Sequence, residues 1–497
     1  VVDTYRPITL ARGIRAAAAR WPDRIAIADD DVALSYRQLS ARMARAANAA
    51  AGLGLVAGDR VALVAGNTPY YIEVVAGLSE AGVIVATLST RLTAAELLGI
   101  FDDCTPRLAI TDAYSDAVVA AAAPTLPRIR LDDGWSDLLA RASDRWPEHP
   151  IRETDSFAMS YTSGTTGKPK GVLLSHRSRC ITFLAMAGEY GCFGPGQRFL
   201  AVTPMAHGAG FSFAAAALFH GGTTILAAPS DPERLSLRLA EPDLHGVFVV
   251  PTILSRLLDL PPRALGANLR TMISNAAALA PSLKEAAVAR WGNTLLHETY
   301  GSTEAGIVTN MRPDQLLAKP ASVGTPFPLI EISLRDSAGE EVADDMPGEL
   351  FARGPYAFNG YWQRPEATAE AVRDGWITVG DLATRDKDGF ITIMDRLKDM
   401  IVSGGLNIYP REIELVLSTL PGIRDVAVIG LADRDWGERV HAVLVGDATP
   451  AAIAAALEGQ LATYKHPKSF STIAELPRNA SGKILKRELR QQLSAES

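Results

Sequence analysis

A chain of 497 residues exceeds what one core of ordinary size requires, and its 49 Lys and Arg against 56 Asp and Glu give a formal net charge of -7. With 47% hydrophobic and 21% charged residues, the composition is that of a globular protein of at least two domains. This balance excludes the concentrated positive charge that nonspecific nucleic-acid or anionic-membrane binding needs, and the three scattered cysteines, Cys104, Cys180 and Cys192, exclude a disulfide framework or a spaced zinc site. A reducing, cytoplasmic setting is expected; the N-terminal stretch has basic residues but lacks the continuous apolar core of a signal peptide.

From Ile8 to about Leu139, Ala-rich amphipathic stretches alternate with short Val/Ile runs. The pattern predicts helices near 36–53 and 69–82, and strands at 60–64, 83–86, 108–110 and 129–131. That alternation is the signature of an α/β fold. After a connector containing Pro147 and Pro150 comes Met159 to His176, in which two apolar strand-like runs flank Thr162-Ser163-Gly164-Thr165-Thr166-Gly167-Lys168-Pro169-Lys170-Gly171. Its three glycines admit backbone N–H groups close to an anion, its four hydroxyls donate to phosphoryl oxygens, and its two lysines add charge. A flexible linker is the alternative, opposed by the apolar runs on both sides. The loop is not a Walker A motif: Thr162 stands where that motif requires glycine, and Pro169 follows Lys168.

Beyond the loop a helix is expected over 177–190, then a strand running into Pro204-Met205-Ala206-His207-Gly208. A lone histidine commonly satisfies only local hydrogen bonds, so His207 is on its own residues as readily structural as functional. The apolar stretch Phe211 to Pro229 is interrupted by His220-Gly221-Gly222 and reads as buried helix, turn and strand rather than a membrane span. Strands end at Val250 and at Ser274, the latter followed by Asn275-Ala276-Ala277-Ala278, and ligands of open α/β sheets collect at such ends. In His297-Glu298-Thr299-Tyr300-Gly301-Ser302-Thr303-Glu304, an aromatic, hydroxyls and a carboxylate cluster. A carboxylate beside a polyphosphate serves Mg2+, with a helix N-terminal cap as the competing reading.

From residue 325 short β-like segments with turn residues suggest a small antiparallel subdomain. Asp381 and Arg396 lie in charged segments around a hairpin-like 386–390, and such runs are commonly solvated loops. A compact module of about a hundred residues follows, with helices at 410–419 and 450–461 and strands at 426–430 and 440–445; a boundary is placed at Lys398, dividing the chain into 1–397 and 398–497.

The ordered set YTSGTTGKPKG (161–171), YGSTEAG (300–306), GDLATRDKDGF (380–390), DRLKDMIVSGG (395–405) and PRNASGK (477–483) resembles the adenylate-forming superfamily of acyl-CoA synthetases, adenylation domains and luciferases, over essentially the whole chain. The resemblance implies an N-terminal domain of two α/β sheets plus a β-barrel-like subdomain and a small mobile α+β C-terminal domain. It also implies a two-step reaction, in which a carboxylate and ATP give an acyl-adenylate and pyrophosphate, and a thiol then displaces AMP. On this resemblance Thr162, Ser163, Gly164, Thr165, Thr166, Gly167 and Lys168 cradle phosphate, Thr303 contacts the α-phosphate and Glu304 holds Mg2+. Asp381 and Arg396 take the ribose, Tyr300 packs on adenine beside Ala276 and Ala277, and Lys483 bridges the carboxylate and ATP. Lys398 is the hinge; Ser403, Gly404 and Gly405 line a pantetheine tunnel, and Arg91 and Trp436 contact CoA phosphate and adenine unless they are plain surface.

His207, with Phe211, Val250, Asn275, Ala276 and Gly301, is then assigned to the acyl pocket. The pocket segments 207–213, 248–253, 274–279 and 300–308 hold no Arg or Lys, which favours a hydrophobic monocarboxylic acid over a dicarboxylate. Asn275-Ala276, where the family often has two glycines, implies a short pocket and a compact acid, aromatic, alicyclic or short to medium aliphatic. The expected partners are that acid, ATP and coenzyme A, a lysine acetyltransferase acting on Lys483, no nucleic acid and no membrane, with a monomer or homodimer as assembly. A CoA ligase is favoured over a stand-alone enzyme loading a carrier protein, a luciferase-like oxygenase and a non-enzymatic AMP sensor.

Overall fold

The computed structural model describes residues 5–162, 169–227, 231–478 and 484–494. Its first sheet has six strands, ordered Arg128–Arg130, Leu108–Thr111, Arg60–Val64, Ile84–Leu88, Ser156–Thr162 and Lys170–Ser175. All neighbours are parallel except the last pair, which forms an antiparallel hairpin closing at Thr162 opposite Lys170. The Val/Ile runs form these strands because they are covered on both faces, and Ile84–Leu88 is buried throughout.

The alanine-rich helices serve close packing as well as helix propensity. Tyr36–Gly52 starts at a capping box between Ser35 and Gln38, and it crosses Tyr70–Ser79 so closely that a Cβ at Gly77 would lie 2.5 Å from the Ala46 Cβ. Thr93 and Glu96 cap Ala94–Cys104 in the same way.

The second sheet has nine strands, and its centre, Arg198–Ala201, Gly246–Val249, Thr271–Ser274 and Leu296–Ser302, is parallel. The expected order of helix, turn and strand after Phe211 is found as Gly208–His220 and Thr223–Leu226. Leu296–Ser302 then turns back antiparallel as Gly306–Met311, so the segment around Glu304 is a hairpin turn and not the helix cap that competed for it. A third, antiparallel sheet is built from Glu331–Arg335, Gly348–Arg353, Val372–Arg373, Trp376–Arg385 and Ile391–Arg396.

After Arg396 the chain passes through a short turn into a fourth sheet, in which Ile401–Ser403, Leu406–Ile408, Ile423–Asp433, Gly437–Gly446 and Ser469–Thr472 pair. The helix Pro410–Leu417 packs on it, and a separate apolar cluster around Ile401, Ile413, Val428 and Ala442 forms its core. The three cysteines are free and buried. No helix among the described residues is long and apolar enough to cross a membrane.

Candidate active site

Pairing of Trp376–Arg385 with Ile391–Arg396 sets Asp381 opposite Arg396, with Arg396 Nε 3.2 Å from Asp381 Oδ1. From the nine-stranded sheet Tyr300 donates its phenol proton to Asp381 Oδ2 at 2.5 Å. Burial, reinforced by the Asp381 charge, raises the Tyr300 pKa well above its usual range, so the phenol stays a donor.

The strand Thr271–Ser274 ends in the exposed turn of Ala276 and Ala277. Asn275 ties this turn to the neighbouring strand, donating from Nδ2 to Thr299 Oγ1 at 2.6 Å, and Ala276 sits at φ 78°, a left-handed conformation that costs a non-glycine residue energy. Beneath it the Leu279 N–H donates to Glu298 Oε1 at 3.0 Å, and Glu298 is ion-paired at 2.5 Å with Lys284, whose Nζ also donates to the Ser322 carbonyl at 2.9 Å. Both charges are almost fully buried. Sequence reasoning passed over this pair, although Glu298 shares the period-two face of Tyr300.

Four residues beyond Tyr300, Glu304 occupies the turn of the hairpin, where the Ala305 N–H donates to Ser302 Oγ at 3.0 Å. Gly301 is demanded by that hairpin, since a Cβ there would lie 2.1 Å from the Gly306 carbonyl oxygen. Glu304 Oε1 accepts from the Tyr361 phenol at 2.8 Å, and the Glu304 carbonyl accepts from the Phe358 N–H at 2.8 Å. Behind the turn Arg179, wholly buried, donates from Nη2 to the Thr303 carbonyl at 3.0 Å. Desolvation pushes its guanidinium down to about 10 against the opposing pull of Glu304. Neither Tyr361 nor Arg179 was singled out from the sequence. Ser163, Gly164, Thr165, Thr166, Gly167, Lys168 and Lys483 lie outside the described residues, while Thr162 and Lys170 mark the two ends of the loop's hairpin.

His207 immediately precedes the helix Gly208–His220, and the Cβ position of Gly208 lies 3.9 Å from Thr303 Oγ1, so the histidine loop adjoins the Thr303–Glu304 turn. Asn67 holds that loop from the first sheet, donating to the Thr203 carbonyl at 2.9 Å and accepting from the Met205 N–H at 2.8 Å. Burial, and secondarily the Arg91 charge, depress the His207 pKa, and its buried Nε2 has no partner among the described residues. Phe211, in the first turn of the helix, packs against Phe157, and Val250 precedes the helix Pro251–Asp259. Segments 207–213 and 300–308 hold no Arg or Lys, but two cations from elsewhere come near: the Arg91 charge acts on His207, and Arg179 comes from the helix His176–Tyr190. Arg179 is sealed behind Thr303, and Arg91 is exposed.

Ser403, Gly404 and Gly405 form the turn between Ile401–Ser403 and Leu406–Ile408, with φ of 59° and 80° at the two glycines. The Gly404 N–H donates to the Trp436 carbonyl at 2.8 Å, and Lys468 Nζ lies 3.2 Å from the centroid of the half-exposed Trp436 ring. The structure thus joins the turn, Trp436 and Lys468 in one patch. Lys398 follows Leu397, whose N–H donates to the Gly380 carbonyl at 2.8 Å, and precedes Asp399, which pairs with Arg490 at 3.0 Å. Burial, with Arg396 next, lowers the Lys398 pKa.

Among the described residues no three His, Cys, Asp or Glu side chains gather as a protein-only metal cage would require. Glu304 fits the other mode, in which Mg2+ takes one carboxylate and completes its shell with water and phosphate oxygens. One of its oxygens is fixed by Tyr361, and the other accepts no hydrogen bond among the described residues.

The sequence profile described as AMP-binding enzyme matches residues 14–362, and that described as AMP-binding enzyme C-terminal domain matches 412–483. A feruloyl-CoA synthase of Amycolatopsis sp is 36% identical, over 94% of this chain and 96% of its own length. A fatty acid–[acyl-carrier-protein] ligase, ScoC of Streptomyces coeruleorubidus, is 33% identical, over 98% and 97%. The crystal structure of ATP-bound MatB from Rhodopseudomonas palustris superposes with a TM-score of 0.90 at 31% identity, covering 97% of this chain and 99% of that one.

Proposed function

The chain belongs to the AMP-binding enzyme family as an AMP-forming acid–thiol ligase, and from that premise we propose that it activates a compact hydrophobic monocarboxylic acid with ATP and passes the acyl group to coenzyme A. The observation that carries the reading is the placement of two differently equipped carboxylates around one hairpin, Asp381 on the phenol of Tyr300 and Glu304 four residues further along the chain.

In this reading Asp381 accepts the ribose hydroxyls, Tyr300 and the Ala276–Ala277 turn flank adenine, and Thr303 lies at the α-phosphate. Glu304 would hold Mg2+, which supplies charge to offset the repulsion between two approaching anions. A carboxylate is a poor electrophile, and attack of its oxygen on the α-phosphorus, with pyrophosphate leaving, gives the mixed anhydride. Thiol attack on the acyl carbon then expels AMP. Lys483 bridges the two reactants in the first step. The segment from Lys398 onward swings to bring Ser403, Gly404, Gly405 and Trp436 to the thiol in the second, with Arg91 at a CoA phosphate. Acetylation of Lys483 would remove its charge and stop the first step.

His207 with its depressed pKa is a neutral ring, suited to lining an apolar pocket with Phe211 and Val250. Asn275, tied to Thr299, gives that pocket a bulky polar floor and supports a short acid. Transfer to a carrier protein is the second reading, favoured by the ScoC relative. A panel of aromatic, alicyclic and aliphatic acids assayed for pyrophosphate release and thioester formation, with CoA, with a carrier protein bearing a free pantetheine thiol and with neither, separates the two. Thioester formation with CoA is expected, and adenylation that yields thioester only on the carrier overturns it.

A further inference from the structure

The loop that holds phosphate and the turn that carries Glu304 belong to different sheets, yet one polyphosphate must meet both. Segment 358–362 joins them. On one side the Asn359 N–H donates to the Leu173 carbonyl at 2.8 Å, the Leu173 N–H to the Gly360 carbonyl at 3.0 Å, and the Trp362 N–H to the Gly171 carbonyl at 2.8 Å. This lays Tyr361 antiparallel to Val172, on the strand that leaves the loop. On the other side the Phe358 N–H and the Tyr361 phenol both donate to Glu304, to its backbone carbonyl and to Oε1.

The ring of Tyr361 has a second duty. Lys170 Nζ lies 4.9 Å from its centroid, a cation on the aromatic face, while the anion Glu304 is held at the phenol end. The ring therefore engages, on its face and at its phenol end, an ammonium and a carboxylate that would attract each other strongly in a water-poor site. Direct pairing of Lys170 with Glu304 would put an ammonium where a divalent cation belongs.

We propose that Tyr361 is a positioning residue for the metal-bound nucleotide: its hydroxyl orients Glu304, its ring keeps Lys170 off that carboxylate, and its backbone fixes the loop's exit strand against the Glu304 turn. The proposal rests on the reading of Glu304 as the metal-holding carboxylate. Groups that orient a metal ligand typically contribute about 10- to 100-fold in metal affinity or activity, and a misplacement of about 1 Å costs on the order of 100-fold in rate.

The test is calorimetric binding of ATP to the full chain, with and without Mg2+, in the absence of acid and thiol so that no turnover contributes. Tyr361→Phe should weaken Mg-ATP by roughly 10-fold and leave metal-free ATP within about twofold. Tyr361→Ala should weaken Mg-ATP further, and adding Lys170→Gln to it should recover part of that loss. Equal weakening with and without Mg2+ in Tyr361→Phe, or no weakening at all, overturns the hydroxyl's role. A Tyr361→Ala/Lys170→Gln double variant no better than Tyr361→Ala overturns the spacer role. Glu304→Gln is run alongside: if it leaves the Mg2+ dependence unchanged, the metal reading falls and takes the proposal with it. If Glu304→Gln shifts the dependence while Tyr361→Phe does not, the proposal alone falls.

Discussion

Asp381 and Glu304 are two buried carboxylates, each holding a tyrosine phenol, and they differ in what balances their charge. Asp381 has the Arg396 guanidinium in direct contact, so the pair is close to neutral and offers oxygens to a neutral partner such as a sugar hydroxyl. Glu304 has no cation in contact among the described residues: Arg179 is spent on the Thr303 carbonyl and Lys170 rests on the Tyr361 ring. A carboxylate that feels Arg179 without touching it, with one oxygen fixed and the other accepting no hydrogen bond among the described residues, suits a cation from outside. Equal side chains acquire different chemistry from their neighbours, and the neighbours come from distant parts of the chain.

The largest expected effect breaks this contrast at its charged end. Glu304→Gln keeps the shape and an acceptor for Tyr361 but removes the charge, and pyrophosphate release should fall by about 100- to 1000-fold, the usual scale for an electrostatic group acting on developing charge. A loss under tenfold would place the metal elsewhere.

Acid attacks the strand common to both ends. His297, at the root of Leu296–Ser302, packs edge-on against Tyr190, and burial pushes its imidazole down to about 4 from an ordinary 6.5. The folded protein keeps the ring neutral while the unfolded chain takes up a proton near the ordinary value. Stability from this source is complete above pH 6.5 and is lost as pH falls toward 4, by roughly 3 kcal/mol when fully expressed. His176 and His441, also depressed by burial, act in the same direction. The melting temperature should therefore drop across this window, less steeply in His297→Gln, and the contacts of Asp381 and Glu304 should be lost together.

Asp381→Asn tests the neutral end. It leaves Arg396 without its partner and should raise the KM for ATP about ten- to hundredfold, corresponding to roughly 1.5–3 kcal/mol for a hydrogen bond to a charged group, with little change in Mg2+ dependence. A shift in Mg2+ dependence matching that of Glu304→Gln would erase the distinction between the two carboxylates.

Central strands of both α/β sheets could be read from the chain because a doubly covered strand must be a continuous apolar run, as at Val61–Val64, while the edge strands Ala33–Ser35 and Thr325–Pro326 lack that run. The capping boxes at Ser35 and Thr93 join residues three apart, a purely local signal, although neither was singled out from the sequence. Asp381, Arg396 and Tyr300 are assigned to one nucleotide only through the resemblance to the family, since the charged segments alone read as solvated loops, and the structure brings the three side chains together. Tyr361, Arg179, Glu298 and Asn67 were not singled out, because each acts through a partner set by the topology: 358–362 touches Glu304 only once it has paired with 171–173. Gly360 at φ 110°, with Gln363 at φ 47° just beyond, shows that the backbone turns unusually there, and only the glycine leaves a local trace in the sequence. Arg91 and Arg179 come near His207 and Thr303 in the same way, from segments outside the cation-free windows 207–213 and 300–308.

The smallest effect probes what a phenol contributes to a carboxylate whose charge is already balanced. Tyr300→Phe keeps the ring for adenine and deletes one hydrogen bond to Asp381. Because Arg396 still holds Oδ1, the carboxylate retains its orientation, and a net loss near 1 kcal/mol, about fivefold in the KM for ATP, is expected with kcat unchanged. The matched change at the other end, Tyr361→Phe, removes the same atom from a carboxylate with no cation in contact and should cost more. If the two substitutions prove equal, the compensation of Asp381 by Arg396 has no energetic consequence, and the difference between the two ends must be sought in the ligand instead of in the protein.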